Sequence, residues 1–375
     1  MARLVKMATV LSVFSGVVPR MLYRVLFFLL FTVLPSSLAW AAPAQQLFND
    51  WLVTCNNQNF CVARNVGLHH GLVMTLSRSA GAVTDANLRI ELGGIGNPVA
   101  ALAPVAPRLL LDGKPLALVD KHWQVADKLV KTGDSVTIDA FLQQVQEGQA
   151  ITLVNGLQTI SLQGLKAALL FIDNHQKRVG SETAWVGKGE EPPLSVPPAP
   201  ALRAVGKVDL TQSPLSRDEL NDLMDYGNER IDNSSCSLDP FRREIRVTAL
   251  TDEKVLLMVS CEAGAYNTIW RAWLVSRRPP YMARQLRLSL PFQPPGNAAR
   301  EIELINAGFD EQRHELVTLD KGRSPGDCGI QTRWRYDGQR FSLVRYAQQP
   351  QCDNWQGPDA WPTLWVTRYI AHPLE

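Results

Sequence analysis

Residues 321–352, KGRSPGDCGIQTRWRYDGQRFSLVRYAQQPQC, carry the pattern on which the fold reading turns. In Thr332-Arg333-Trp334-Arg335-Tyr336 charged and aromatic side chains alternate, the two-residue period of a strand with one face on a core and the other in water. Asp337-Gly338 is a hairpin-turn signal between this run and the next, 340–346, and Cys328 and Cys352 bracket the pair. In front stands the glycine-rich Gly322-Arg323-Ser324-Pro325-Gly326-Asp327. Consecutive amides of such a turn can face an anion. Alternatively, the glycines permit positive φ around a disulfide-held turn, with Asp327 bonded to backbone amides. The spacing and strand-to-helix switch of a nucleotide loop are missing, so the turn reading is preferred. Arg323 and Asp327 stay as candidate binding residues.

Outward from this hairpin, short strand-like runs recur at 243–250, 254–261, 268–276, 285–290, 301–305 and 316–319. Ahead of them, Ser216 with Glu219 three residues on forms a capping box, and Leu220, Leu223 and Met224 give an apolar stripe. These predict a short helix ending near Tyr226-Gly227. Residues 187–204, GKGEEPPLSVPPAPALRA, contain five prolines and read as an extended spacer. Before the spacer, runs at 72–77, 87–92, 108–111, 116–119, 135–138 and 150–154 repeat the strand pattern, and Leu165, Leu169, Ile172 and Gln176 mark one helix capped near Gly180.

The expected organisation is therefore mainly β. It comprises a signal segment 1–41, a β-sandwich-like domain 42–186 with one helix, the proline-rich linker 187–204, and an antiparallel β domain 205–375 with one helix at its start. Regular short strands with turn signals favour a sandwich over a parallel sheet with crossovers.

The address comes from the first 41 residues, which hold Arg3, Lys6, Arg20 and Arg24 and no acid. Residues 21–41 read as a signal peptide: a basic start, an apolar run 25–34, and Ala39-Trp40-Ala41 as the cleavage site. The apolar run is shorter than the about 20 residues a membrane span needs. Translation from Met1 or from Met21 fits equally. The six cysteines of an exported chain suggest disulfides, and their placement suggests neighbours: Cys55 with Cys61, Cys236 with Cys261, Cys328 with Cys352. Beyond the signal, 34 basic residues face 36 acidic ones, a balance that argues against nucleic acid or an anionic membrane as the main partner.

The Trp51-x-x-x-Cys55 opening with Cys61, the run 160–176, and Arg178-x-Gly180 followed by Thr183-Ala184-x-Val186 resemble the bacterial exported proteins grouped as the domain of unknown function 1176 family. The first domain also resembles, more distantly, the invasion-associated locus B proteins of bacterial envelopes. Both resemblances imply a periplasmic protein of a diderm bacterium and carry no catalytic residues with them.

Chemistry is sparse. No Gly-x-Ser-x-Gly elbow is present, paired cysteines leave no thiolate, and the histidines, His69-His70 included, lack partners at metal spacing. No catalytic residue, cofactor or metal ligand is assigned. The aromatic C-terminus reads first as core and second as a contact surface, in which Trp355, Trp361 and Trp365 would stack on a glycan or grip a peptide beside Arg323 and Asp327. The sequence thus points to a periplasmic, non-catalytic binding or envelope-interaction protein whose partner is an envelope protein or glycan. The rival expectation is an enzyme acting on envelope glycan through Asp327.

Overall fold

The computed structural model describes residues 42–370, apart from 84, 97–103, 119–120, 155, 207–212 and 233–235. The expected signal segment 1–41, and with it the expected cleavage site and the choice of start, lies outside the described residues. Among the described residues the fold is mainly β, with several antiparallel sheets and three α-helices.

Seven strands form the first sheet in the order Ala44–Phe48, Trp51–Cys55, Cys61–Asn65, Leu72–Arg78, Ala86–Leu92, Leu129–Thr132 and Gln124–Val125. Alternation explains the side each strand shows: Ala86, Leu88, Ile90 and Leu92 are buried while Arg89 is exposed. A four-stranded sheet (Thr159–Ser161, Ala150–Leu153, Leu109–Leu111, Lys114–Pro115) shares its core. Leu109, Ile151 and Ile160 join Trp51, Met74 and Leu88 in one apolar cluster.

Two helices complete that core, where one was expected. Residues 135–138, read as a strand for their β-branched Val136, Thr137 and Ile138, are instead the first turn of helix α1 (Ser135–Val145). Asp134 caps it by accepting from Thr137 N at 2.8 Å, and Ile138, Phe141, Leu142 and Val145 bury one face at helical spacing. The expected strand at 116–119 is displaced to Lys114–Pro115, with Leu116 buried beyond it. Helix α2 (Leu165–His175) forms as expected but closes at Gln176, with Lys177 at φ 58°, so Gly180 is not its cap. The proline-rich stretch is no free spacer: Glu191 N donates to Gly180 O at 3.0 Å, Glu182 N to Glu191 O at 3.0 Å, and Val196 is buried.

The capping box is present in both directions at helix α3 (Arg217–Asp232), with Glu219 N to Ser216 Oγ at 3.1 Å and Ser216 N to Glu219 Oε2 at 2.9 Å. The helix continues beyond Gly227 because that glycine lets it lie against the sheet. An added Cβ there would sit 3.3 Å from Leu257 and 3.4 Å from Ile245.

Helix α3 covers one face of a sheet ordered Ile245–Ala249, Lys254–Ala263, Thr268–Ser276, Ala283–Gln285. Val255, Leu257 and Val259 pack with Leu223 on that face, while Leu256 and Met258 point to the other. Burial on both faces is why the strand reads as an unbroken apolar run. The second face packs with the sheet Gly308–Asp310, Glu315–Lys321, Gly329–Tyr336, Phe341–Gln349, Thr363–Val366, enclosing Trp270, Trp334, Tyr346 and Trp365. The hairpin of residues 321–352 is thus the centre of this last sheet.

Contacts gather the described residues into one compact unit. Part of the join is the Asn-rich turn after Cys55. Asn57 donates from its backbone N to Leu364 O at 3.2 Å and from Nδ2 to Val366 O at 3.0 Å, and its Oδ1 accepts from Val366 N at 2.9 Å. A strand edge of the second half is thereby satisfied by one asparagine of the first.

Candidate functional site

All three expected disulfides are present: Cys55–Cys61, Cys236–Cys261 and Cys328–Cys352. The last closes the hairpin and brings the turn 352–355 against the ends of the third and fifth strands of the first sheet, at Arg64 and Ile95. Gly329, at φ 138°, makes this closure possible, since an added Cβ would lie 1.9 Å from Asp320 O.

Arg323 and Asp327 meet as a two-pronged pair, Nε to Oδ1 at 2.8 Å and Nη2 to Oδ2 at 2.6 Å. The Asp327 carboxylate is fully buried and also accepts from Asn354 N at 2.6 Å. Its hydrogen bond from Arg323 holds it below the usual carboxylate range, and the same bond raises Arg323. Arg323 Nη2 further donates to Asn354 Oδ1 at 2.8 Å. These two residues do not form an anion cradle; they clamp residue 354.

The clamped turn presents Asp353 to the first half of the chain. Asp353 Oδ2 lies 2.7 Å from Arg64 Nη1 and 3.8 Å from His69 Nε2, and all three side chains are largely buried. Burial lowers the Arg64 pKa, with Asp353 opposing the shift. His69 Nδ1 accepts from Gly71 N at 2.9 Å, so in the neutral ring the proton sits on Nε2 and faces Asp353. Asn354 O accepts from Ile95 N at 2.8 Å, an approach that Gly94 at φ 144° allows.

Above these groups opens a cleft of about 540 Å³, lined among others by Leu68, His69, Gly93, Leu157, Asp353 and Asn354. Leu68 and Leu157 on its rim are each 78% exposed. No described lining residue carries a hydroxyl, and the cysteine there, Cys352, is in a disulfide. The cleft can accept and donate hydrogen bonds and cover an apolar surface, and its described lining offers neither a hydroxyl nor a free thiol.

The tryptophans stand elsewhere than a stacking surface needs. Trp355 is 7% exposed, its ring edge-on to His69 at 6.0 Å and beneath Gly93. Trp361 donates from Nε1 to Gln356 O at 3.0 Å, and Trp365 stacks on Phe292 at 5.3 Å. All three are core, because each buries a large ring that a small β fold needs. The structure unites Arg323, Asp327 and Trp355 around one turn and leaves Trp361 and Trp365 outside it. Arg64, His69 and Asp353 were missed as a group, Asp353 being far in sequence from the other two. His175 comes within 4.8 Å of Cys55 and Cys61, but the joined sulfurs are not thiolate ligands.

The residues behind the family resemblance are structural. Asp173, fully buried, accepts from Arg78 Nη2 at 2.6 Å and from the amides of Trp185, Val186 and Gly187. Arg178 donates to Thr183 Oγ1 at 2.6 Å and to Gly81 O at 2.5 Å. A family model described as "Protein of unknown function (DUF1176)" matches residues 45–368, which include this network and the 352–355 turn. The chain belongs to the DUF1176 family. This DUF1176 chain is 66% identical over 348 residues to "Uncharacterized protein YpfG" of Escherichia coli (strain K12), covering 93% of the chain and all of that protein. No solved structure matches it. The likeness to the invasion-associated locus B proteins finds no support in these matches.

Proposed function

We propose that this protein is exported to the periplasm and acts there as a non-catalytic binding protein of the cell envelope, with the His69–Asp353 cleft as its recognition site. The observation that carries the reading is the floor of that cleft. A buried imidazole N–H faces a carboxylate that is already paired with Arg64, under a rim of two exposed leucines. A donor beside an acceptor suits a hydroxyl or amide of a glycan or peptide, and the leucines suit its apolar side. Three disulfides and the lack of a described helix long and apolar enough to cross a membrane agree with export.

The glycan-cleaving alternative assigned to Asp327 draws no support. A buried carboxylate gripped by Arg323 and held ionised is out of reach as an acid and as a base. Trp355, against His69, serves as a reporter. Titration of the chain with peptidoglycan fragments and periplasmic peptides should give a saturable change in its fluorescence, abolished in Trp355→Phe, with every fragment recovered intact by mass spectrometry. Cleavage of a fragment, lost in Asp327→Asn, would overturn the reading. Thiol trapping in fractionated cells should find the disulfides formed in the periplasm; a reduced cytoplasmic protein would refute the address.

A further inference from the structure

We infer that a second cleft, sharing no lining residue with the His69 cleft, binds a phosphate ester carrying an apolar substituent. It encloses about 530 Å³ and is lined by Arg203, Arg284, Arg287 and Arg340 against one described carboxylate, Asp337. That volume suits a small molecule and not a macromolecule. The four arginines come from three separate stretches of the chain, so the fold and not a basic run of sequence brings them together.

Asp337 offsets at most one of their charges, that of Arg340. Its Oδ1 accepts from Gln339 N at 3.0 Å and Arg340 N at 2.8 Å, the bonds that form the hairpin turn, and Arg340 Nε is 3.7 Å from its Oδ2. Arg284 uses Nη2 on Gln339 O at 3.1 Å, and Arg287 faces Glu301 only at 3.8 Å with both side chains exposed. A guanidinium has five N–H donors, so each of these three retains capacity for a ligand. The arginine fork matches phosphate oxygens, and a phosphate monoester offers three of them to donors approaching from three sides. A planar carboxylate offers two.

Apart from Gln285, Ser289 and Ser342, the rest of the lining is apolar. Leu286 and Pro291 are part-exposed in it, over a nearly buried floor of Trp334, Phe341, Leu343 and Trp365 from the second-half core. An inorganic anion would leave Leu286 and Pro291 in water, whereas an ester with an apolar group covers them.

Calorimetry on the full-length mature chain tests this with phenyl phosphate, inorganic phosphate and phenol. Phenyl phosphate should bind saturably and about tenfold or more tighter than either part alone, and weaken as ionic strength rises. The exposed pair R284Q/R340Q should lose at least about tenfold in affinity with an unchanged thermal melt. Dodecyl phosphate, kept below its micelle concentration, separates the sources: tighter binding than phenyl phosphate assigns a lipid ester, weaker binding a soluble one. Phenyl phosphate binding no tighter than phosphate, or binding that R284Q/R340Q leaves intact, overturns the proposal.

Discussion

Asp173 is hydrogen-bonded to the guanidinium of Arg78, and Arg178 beside them feels the same negative charge: Asp173 Oδ1 lies 2.6 Å from Arg78 Nη2, and all three side chains are essentially buried. Burial lowers Arg78, and burial together with the neighbouring Arg78 lowers Arg178 to about 10. Two cations share one anion, and Gln176 Oε1 accepts from both at 2.8 and 3.2 Å. Asp173→Asn keeps the shape but removes the charge. It should destabilise the protein by about 3–5 kcal/mol, because two buried cations lose their counter-charge. Urea unfolding measures this, and a loss under about 1 kcal/mol would mean the arginines are already solvated.

At helix α3 the capping-box glutamate also holds Arg277, with Oε1 at 3.0 Å from Nε and Oε2 at 2.9 Å from Nη2. The Arg277 hydrogen bond, then the backbone bond from Ser216, lowers Glu219 from 4.5 to about 2. A depressed carboxylate contributes stability that is whole above its unfolded value and is lost as pH falls through its folded one. The contribution should therefore fade between about pH 4.5 and pH 2. Acid titration followed by circular dichroism should show a slope there that flattens in Glu219→Gln; an unchanged slope would assign acid sensitivity to other groups.

The sequence carried the strands and disulfides further than the site. Periodicity sufficed for 268–276 and 329–336 because each strand's alternation or continuous burial is a local consequence of the sheet it enters. It failed at 135–145, where three β-branched residues at the start outweighed an Ile138, Phe141, Leu142, Val145 stripe and an Asp134 cap that were both readable. Gly227 was taken as a helix end, although its smallness serves a close helix–sheet approach. The cleft was illegible for a different reason. Arg64, His69 and Asp353 meet only after the 328–352 disulfide and the Arg323–Asp327 clamp place the turn, and no local spacing encodes that meeting.

His69 supplies a test of the cleft that needs no ligand. With Nδ1 accepting from Gly71 N at 2.9 Å, the neutral ring is the Nε2–H tautomer, and protonating Nδ1 would set two donors face to face. Nitrogen chemical shifts of the labelled imidazole should report a protonated Nε2 and an acceptor Nδ1. The opposite tautomer would remove the donor on which recognition in this cleft depends.

Asp327 links the hairpin to the cleft and yields the last expectation. Its oxygens take both prongs of Arg323 and the amide of Asn354, while Trp355 follows next in the chain against His69. Asp327→Asn leaves Arg323 able to reach water, since its side chain is 39% exposed, so the loss is that of charged hydrogen bonds and not of a stranded buried cation. About 1.5–3 kcal/mol is expected. Because the clamp holds the turn, the same variant should shift Trp355 emission to the red and weaken ligand responses at the cleft. Arg323→Gln should do likewise, and the double variant should cost less than the sum of the two. Additive losses with an unmoved Trp355 spectrum would show that the pair stabilises the hairpin without positioning Asp353.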